Sequence, residues 1–395
     1  MSKHLKILLG GSPCTYWSIS QSSDKRETEA SGIGWELFEN YLYARDKFKP
    51  DYFLYENNKS AVQPIKDQIS KELGVDLQYI NSALVSAQNR QRFYGHNIPN
   101  VPQPDDRGIL LRNILDSGVA WNEKAYSLTT RCSGAIPEDT IEKKRHTMVA
   151  EPVIFQTPRG NNNGGMKYKK SPTLTANGAW TDNNKVVERI TATEEKALAY
   201  FAENTGYIPE MFNAYNRQEI TEKSPTLSTG SMRTSSCAVT VISPYNGKTY
   251  PVYEVKNGLI EIKGKTYPIK LQDGYYIIRK LTVNECRRLQ TIPEWYKMPC
   301  SASQNYKMLG NGWTIEVIKH ILRYIPDISD CTVEVLSMYD GMSCGQITLA
   351  ELGCQVERYV SYEIDKYAIQ TTQANFAKTI QRGDAFQLRN TNWNY

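Results

Sequence analysis

The sequence predicts an α/β protein: a parallel-rich sheet with crossover helices, divided by a β-rich insert. Three observations carry this. Short apolar runs alternate with helical periods at both ends of the chain, in residues 1–98 and 279–395. Between them, from Pro99, Pro102, Pro104 and Gly108 to about residue 278, the texture changes to short alternating runs rich in Asn, Gly, Thr, Tyr and Lys. Finally, residues 332–395 hold too few strands to bury both faces of a sheet, so they need those of 1–98. The expected divisions are 1–98, 99–278 and 279–395, with the outer two forming one domain.

The elements follow in order. Residues 6–9 read as a short strand. Trp35, Phe38, Tyr41, Leu42 and Phe48 fall near a helical period. Residues 51–55 are a second strand, closed by Glu56-Asn57-Asn58. Val62, Ile65, Ile69 and Leu73 mark another helix, and residues 75–80 a third strand. In the insert, Asn161-Asn162-Asn163-Gly164-Gly165 is a loop. A small repeat recurs there, as AYSLTTRCSG, SPTLTANGAW and SPTLSTGSMR. It fits recurring turn chemistry in a β-rich domain, or three loops presented on one face. Residues 281–289 form a helix, with Thr282 and Glu285 spaced as a capping box. Residues 314–324 are amphipathic. Then come a strand (333–339), a helix (345–352), a strand (358–363) and a helix (365–376).

Composition excludes several classes. With 395 residues, 40% of them hydrophobic, the chain can build real cores. No uncharged apolar run approaches the ~18–20 residues of a membrane span, and the N-terminus lacks a secretory pattern. Eight Cys without CxxC and four His without HxxxH argue against zinc and against a disulfide framework, and fit the cytoplasm. The charge, 47 − 42 = +5, is compatible with nucleic acid.

Two stretches carry chemistry. In EVLSMYDGMSCGQITLAELG, a buried strand meets a turn with Gly341 and Gly345 and then a helix, which lets backbone N–H groups approach a ligand. Glu363 ends the next strand at the distance where an acidic residue holds ribose hydroxyls, and Gly383-Asp384 follows. Alone, this pattern equally fits an ordinary α/β unit with solvated carboxylates. At the other end, Pro13-Cys14 follows the first strand and a Gly-Gly turn, a placement that suits a nucleophile, although a lone Cys is more often a buried structural residue. Glu56 ends the second strand. Arg90 and Arg92 sit two apart on an extended segment, so they share a face.

These residues resemble the C5-cytosine DNA methyltransferases, chiefly phage and bacterial members. The matching segments are GGSPC with a following aromatic and Ser, YENN, SAQNRQRFYG, KLTVNECRRLQTIP, QNYKMLGNGW, MYDGMSCG, YEID and GD. The resemblance covers about 215 residues, all outside 100–278. The order differs from the family's: here Pro-Cys opens the chain and the donor motifs close it, as in a circular permutant. The resemblance implies a Rossmann-like S-adenosyl-L-methionine-dependent methyltransferase sheet with a smaller target-recognition domain. It also implies that Cys14 adds to cytosine C6, that Glu56 contacts N3 and the exocyclic amine, and that Arg90 and Arg92 orient both. Pro13, Ser18 and Asn57 would line the base site. Asp340, Gly341, Met342, Ser343, Cys344 and Gly345 would hold the methionine end of the donor, Glu363 and Ile364 the ribose side, and Asp384 and Ala385 the adenine. Asn311, Gly312 and Trp313 would close the donor pocket. Duplex DNA is the expected substrate, with a cognate restriction enzyme as a further partner and a monomeric state. Arg131, Arg159, Lys167, Lys169, Lys170 and Arg233 are candidate DNA contacts. An inactive DNA-binding subunit and an RNA cytosine methyltransferase are the rival readings.

Overall fold

A computed structural model describes residues 4–18, 26–156 and 252–395, with short stretches between 165 and 219. Strand β1 (His4–Gly10) is almost continuously buried, as a central strand must be. A 3₁₀ turn, Cys14–Tyr16, follows. Helix α1 (Gly32–Phe48) buries Phe38, Tyr41, Ala44 and Phe48 along one side and stops at Lys49, which is left-handed. Strand β2 (Tyr52–Asn58) leads into α2 (Gln63–Leu73). Pro64 sits in the first turn of α2, where a missing N–H costs nothing. Ile65, Ile69 and Leu73 face inward, and Gly74 (φ 71°) closes the helix by donating to the Ser70 carbonyl. Strands β3 (Leu77–Asn81) and β4 (Gln91–His96) complete this part.

An antiparallel sheet follows: β5 (Met148–Pro152), β6 (Val252–Lys256), β7 (Leu259–Ile262), β8 (Lys265–Pro268) and β9 (Gly274–Lys280), in the order β8-β7-β6-β9-β5. Two-residue turns at Asn257-Gly258 and Lys263-Gly264, all four with positive φ, join β6–β7 and β7–β8. That geometry matches the strand twist and favours Asn-Gly. On β7, Ile260 and Ile262 face the core while Leu259 and Glu261 face out. The expected 161–165 loop ends where strand Gly165–Lys167 begins; residues 161–164 lie outside the described residues.

The chain then runs through α3 (Val283–Leu289), α4 (Ala302–Asn311) and α5 (Ile315–Leu322). The Thr282–Glu285 capping box is present. Strand β10 (Thr332–Met338), α6 (Cys344–Glu351), β11 (Gln355–Tyr362), α7 (Lys366–Asn375) and β12 (Ile380–Gln381) finish it.

The main sheet has the order β12-β11-β10-β1-β2-β4-β3. The first and last parts of the chain therefore interleave, with β1 parallel to both β10 and β2. The sheet is parallel except for β4, which runs antiparallel to β2 and β3. The spacing of Arg90 and Arg92 predicts an extended segment there but not a strand running on to His96. Its polar and aromatic residues, QRFYGH, hide the apolar alternation that normally marks one.

Period-two alternation divides the core. Leu5, Ile7 and Leu9 of β1 pack with Val333, Val335 and the apolar side of α5. Leu8 points the other way, toward Phe38, Tyr41, Tyr55 and Met338. The last residues fold back onto this second face. Lys47 donates to the carbonyls of Leu388 and Asn390, at 2.6 and 2.7 Å. Trp393 Nε1 donates to the Tyr362 hydroxyl, and the Tyr395 ring lies 4.6 Å from Phe48. Tyr395 also reaches the Val335 carbonyl, while His4, opening β1, pairs in register with Thr332 of the same strand β10. No helix among the described residues is long and apolar enough to cross a membrane.

Candidate active site

The C-terminal ends of β1, β2, β10 and β11 converge on one edge of the sheet, the side on which open parallel sheets bind ligands. Beyond β1, Gly11 allows close approach: a Cβ there would lie 2.7 Å from the Glu56 carbonyl and 3.2 Å from its Oε2. Ser12 is buried, and its hydroxyl shares a hydrogen bond with Tyr55 at 2.7 Å. Asn57 donates to the Ser12 carbonyl at 3.0 Å and to the Tyr55 hydroxyl at 3.1 Å. Pro13 then turns the chain, and Cys14 is half-buried at the start of the 3₁₀ turn. The Cys14 carbonyl accepts from the N–H groups of Trp17 and Ser18. Ser18 is tied to Asn58, whose amide donates to its hydroxyl at 3.2 Å.

Glu56 lies inside β2 rather than at its end, and is 8% exposed. Both of its oxygens have partners. Arg92 Nε lies 2.9 Å from Oε1, and Trp313 Nε1 donates to Oε2 at 3.1 Å. Arg90 and Arg92 divide their work instead of forming one paired clamp. Arg90 is buried and donates to the carbonyls of Leu128, Gly310 and Gly312, the last at 2.9 Å. Burial, and then the Arg92 charge, pull its pKa down to about 10, while Glu56 and Cys14 act in the opposite direction. Arg92 serves Glu56 and Arg90 braces the 310–313 turn, with Cys14 inside the same field.

That turn rests on buried amides that the sequence reading did not single out. Gln290 donates to the carbonyls of Leu309 and Gly312, at 2.6 and 3.1 Å. Its own Oε1 accepts from Thr314 and from Gln88. Both glutamines lie within the matching segments, but an amide buried only on folding gives no spacing signal. Gly310 is required by contact: a Cβ would lie 2.3 Å from the Thr129 carbonyl carbon and 2.5 Å from its oxygen. We expect Gly310→Ala to lower stability by about 1–3 kcal/mol through overpacking. Urea unfolding checks this, and an unchanged midpoint would count against it.

The turn after β10 meets this cluster from the other side. Tyr339, Gly341 and Ser343 all have positive φ, of 58°, 58° and 61°. For Tyr and Ser this conformation is strained, and the surroundings enforce it. The Tyr339 hydroxyl donates to the Leu37 carbonyl of α1 at 2.8 Å. Met342 and Cys344 press on Gly312, where a Cβ would come within 2.9 Å of Met342 Cε and 3.4 Å of Cys344 Sγ. Burial pushes the Cys344 thiol up to about 12, with Asp340 and Glu56 adding to the effect. Gly345 lets α6 lie against β1, since a Cβ would be 2.6 Å from Leu9 Cδ1.

The acidic residues are arranged less uniformly than their spacing suggested. The Asp340 carboxylate turns inward, accepting from Ser337 (2.6 Å), Tyr359 (2.8 Å) and Ser361 (3.1 Å). Burial raises its pKa, and these hydroxyls offset part of the rise. Glu363 accepts from the N–H groups of Gly341 (2.7 Å), Ile364 (2.8 Å) and Asp365 (2.7 Å). Burial raises its pKa too, while those N–H bonds lower it. Asp384 caps the short turn after β12 by accepting from Phe386 N–H, and Ala385 is buried behind it.

This edge fits a nucleoside-bearing methyl donor. A Cβ on Gly341 or Gly383 would meet open space. Ile364 is 75% exposed and Phe386 is 36% exposed, two apolar side chains next to the acidic strand ends. Asn311, at the exposed end of α4, lies on the rim beside Gly312.

A family model for the C-5 cytosine-specific DNA methylases matches residues 1–327. The chain belongs to that family. Its match ends before β10, so the strand–turn–helix run of 332–395 lies beyond it. The orphan methyltransferase M.SPRI of Bacillus phage SPR is 23% identical over 383 residues, spanning 80% of this chain and 81% of the phage protein. Among solved structures, the methyltransferase EhMeth of Entamoeba histolytica gives a TM-score of 0.34 at 13% identity, over 80% of this chain and 76% of that one. A DNMT2 variant from Spodoptera frugiperda gives 0.34 at 11%, over 80% and 78%. Membership implies S-adenosyl-L-methionine as the methyl donor.

Of the expected DNA contacts in this family member, Arg131 is exposed and sits at the start of a 3₁₀ turn. Lys167 ends a described strand, of which only the backbone is described. Arg159, Lys169, Lys170 and Arg233 lie outside the described residues, as do two of the three SPTL-like repeats.

Proposed function

We propose that this chain is a DNA (cytosine-5-)-methyltransferase acting on a cytosine flipped out of a duplex, through a covalent bond from Cys14 to C6. The observation that carries the proposal is the Cys14 turn tied through Ser12 to Tyr55 and Asn57, the residues flanking Glu56, whose two oxygens are set by Arg92 and Trp313. Cytosine C5 is a weak nucleophile, and thiolate addition at C6 makes it enamine-like. Cys14 Sγ forms that bond, and Glu56 holds N3 and the exocyclic amine. S-adenosyl-L-methionine, when bound, would supply an electrophilic methyl group, its sulfonium S–CH3 bond breaking to leave the neutral thioether. Water or a solvent base takes the C5 proton, the freed electron pair reforms the C5–C6 double bond, and Cys14 leaves C6 as thiolate. Extruding the base costs a few kcal/mol, which contacts from residues 99–278, acting as a target-recognition domain, would offset.

Asp340 to Gly345, Glu363-Ile364, Asp384-Ala385 and Asn311 to Trp313 would hold the donor. In this assignment Asp340 shapes the turn from behind and Glu363 faces the ribose. The motif order reads as a circular permutation, supported by a C-terminal segment that packs on the strand beside β1. A monomer in the cytoplasm, with a restriction enzyme as partner, completes the proposal.

Expression in a methylation-free host, followed by conversion sequencing, tests it. C5-methylation at one recurring genomic sequence is the expected result. Methylated tRNA with unmodified DNA would overturn the choice of substrate. Glu363→Ala should weaken S-adenosyl-L-methionine binding by about 1–3 kcal/mol, the cost of stranding buried polar partners. Calorimetry that finds unchanged affinity would remove Glu363 from the donor site.

A further inference from the structure

We propose that Glu27 is a positioning residue for Cys14: its side chain latches the cysteine turn to helix α1. The inference rests on the reading of Cys14 as the nucleophile, but it concerns a residue outside every segment that carried the resemblance.

Three contacts converge on Glu27, and a fourth links its partner Trp17 to Cys14. Its Oε2 accepts from the Trp17 indole N–H at 2.8 Å. Its Oε1 accepts from the Gly34 backbone N–H at 2.8 Å. Its own N–H donates to the Tyr16 carbonyl at 2.9 Å. Trp17 is 1% exposed, and its backbone N–H donates to the Cys14 carbonyl at 3.1 Å. A continuous path thus runs from the Cys14 backbone through Trp17 and the Glu27 carboxylate into the first turn of α1.

The surroundings are shaped for this carboxylate. A Cβ at Gly32 would lie 2.6 Å from Oε1, and one at Gly34 would lie 2.4 Å from Oε2. Any other residue at either position would expel the side chain. The helix has no other side-chain cap: Ser31 occupies the N-cap position without a cap hydrogen bond. Glu27 therefore supplies the acceptor that an N-cap residue normally provides, and its negative charge suits the helix start. From α1, rigidity passes to the opposite flank of the cysteine. Phe38 and Tyr41 pack edge-on against Tyr55, each at 5.0 Å, and the Tyr55 hydroxyl meets Ser12. Cys14 is thus fixed from both sides by one helix: through Tyr55 and Ser12 before it, and through Glu27 and Trp17 after it.

A carboxylate accepts at both oxygens, whereas an amide offers one acceptor and one donor. Glu27→Gln must therefore turn an N–H toward either Trp17 or Gly34 and break one link. Trp17→Phe removes the Trp17 link, and because the two links lie in series either variant interrupts the same path. Two measurements on the full chain test the latch. The first is the rate at which iodoacetamide alkylates Cys14, read by peptide mass spectrometry. It needs no methyl transfer, so it decides the latch even if the proposed function fails. The second is the rate of covalent adduct formation with duplex DNA carrying 5-fluorocytosine, at saturating DNA. Expected for Glu27→Gln are an alkylation rate changed by fivefold or more, an adduct rate lowered at least tenfold, and a DNA Kd within twofold of wild type. Trp17→Phe should reproduce the alkylation change, and the double variant should add nothing to it. Alkylation at the wild-type rate in folded Glu27→Gln overturns the proposal, as does full additivity in the double variant. A wild-type chain that forms no adduct would overturn the function and leave the alkylation result to decide the latch.

Discussion

Cys14→Ser should abolish methyl transfer, by three or more orders of magnitude, while duplex binding stays within a few-fold of wild type. Removal of a covalent nucleophile has effects of this size. The turn itself should survive, because its supports use backbone groups and neighbours rather than the sulfur: the Cys14 carbonyl, Ser12, Asn57 and Trp17. A serine hydroxyl is a far weaker nucleophile than a thiolate at neutral pH, and among the described residues no histidine hydrogen-bonds to the Cys14 turn to activate it. The adduct with 5-fluorocytosine DNA should disappear as well. An adduct that persists in the serine variant would show that another residue attacks C6.

Arg279→Ala should destabilise the protein by about 3–5 kcal/mol without touching the chemistry directly. Arg279, on β9, is 6% exposed and pairs with two buried carboxylates, Glu151 of β5 and Glu285 of α3. Burial opposes its charge, but the two glutamates outweigh that and hold its pKa above the usual value. It also donates to the Ser117 carbonyl at 2.7 Å. Deleting the guanidinium strands two carboxylates in a low-dielectric site, and breaking a buried pair from one side carries a cost of that order. Glu285 has a second task, accepting from the N–H groups of Thr282 and Asp116. The loss should therefore loosen the antiparallel sheet and α3 together. Urea unfolding that shows less than about 1 kcal/mol would mean that the carboxylates find water or other donors.

How much of this was legible beforehand depends on the range of the interaction. Local signals worked. The Thr282–Glu285 cap, the helices around Ile65 and Ile318, and the strand–turn–helix at 332–351 lie close to where periodicity and capping residues placed them. Asn257-Gly258 was an unused hairpin signal inside the insert. Interactions between distant positions were opaque. Nothing in the order of residues says that Trp313 will donate to Glu56, or that Gln88 and Gln290 will share a buried network. The direction of Asp340 was also hidden. Ser337 stands opposite Ser361 in the β10–β11 register, and this hydroxyl pair turns the carboxylate into the sheet. Arg90 and Arg92 looked equivalent by spacing, yet the start of β4 between them sends one to the 310–313 turn and the other to Glu56.

The place of β1 has a consequence for how the molecule is made. This strand leaves the ribosome more than 300 residues before one of its two neighbours, β10, which begins only at Thr332. Until then β1 and β2 present an apolar edge without its partner, and the aliphatic side chains of Leu5, Ile7 and Leu9 lack Val333 and Val335. Closing the sheet centre is thus a late, highly non-local event, the kind that slows folding and exposes intermediates to aggregation. Nascent chains halted before residue 332 should bind chaperones and resist no protease, whereas the completed chain should acquire protection across β1, β2 and β10 in a single step.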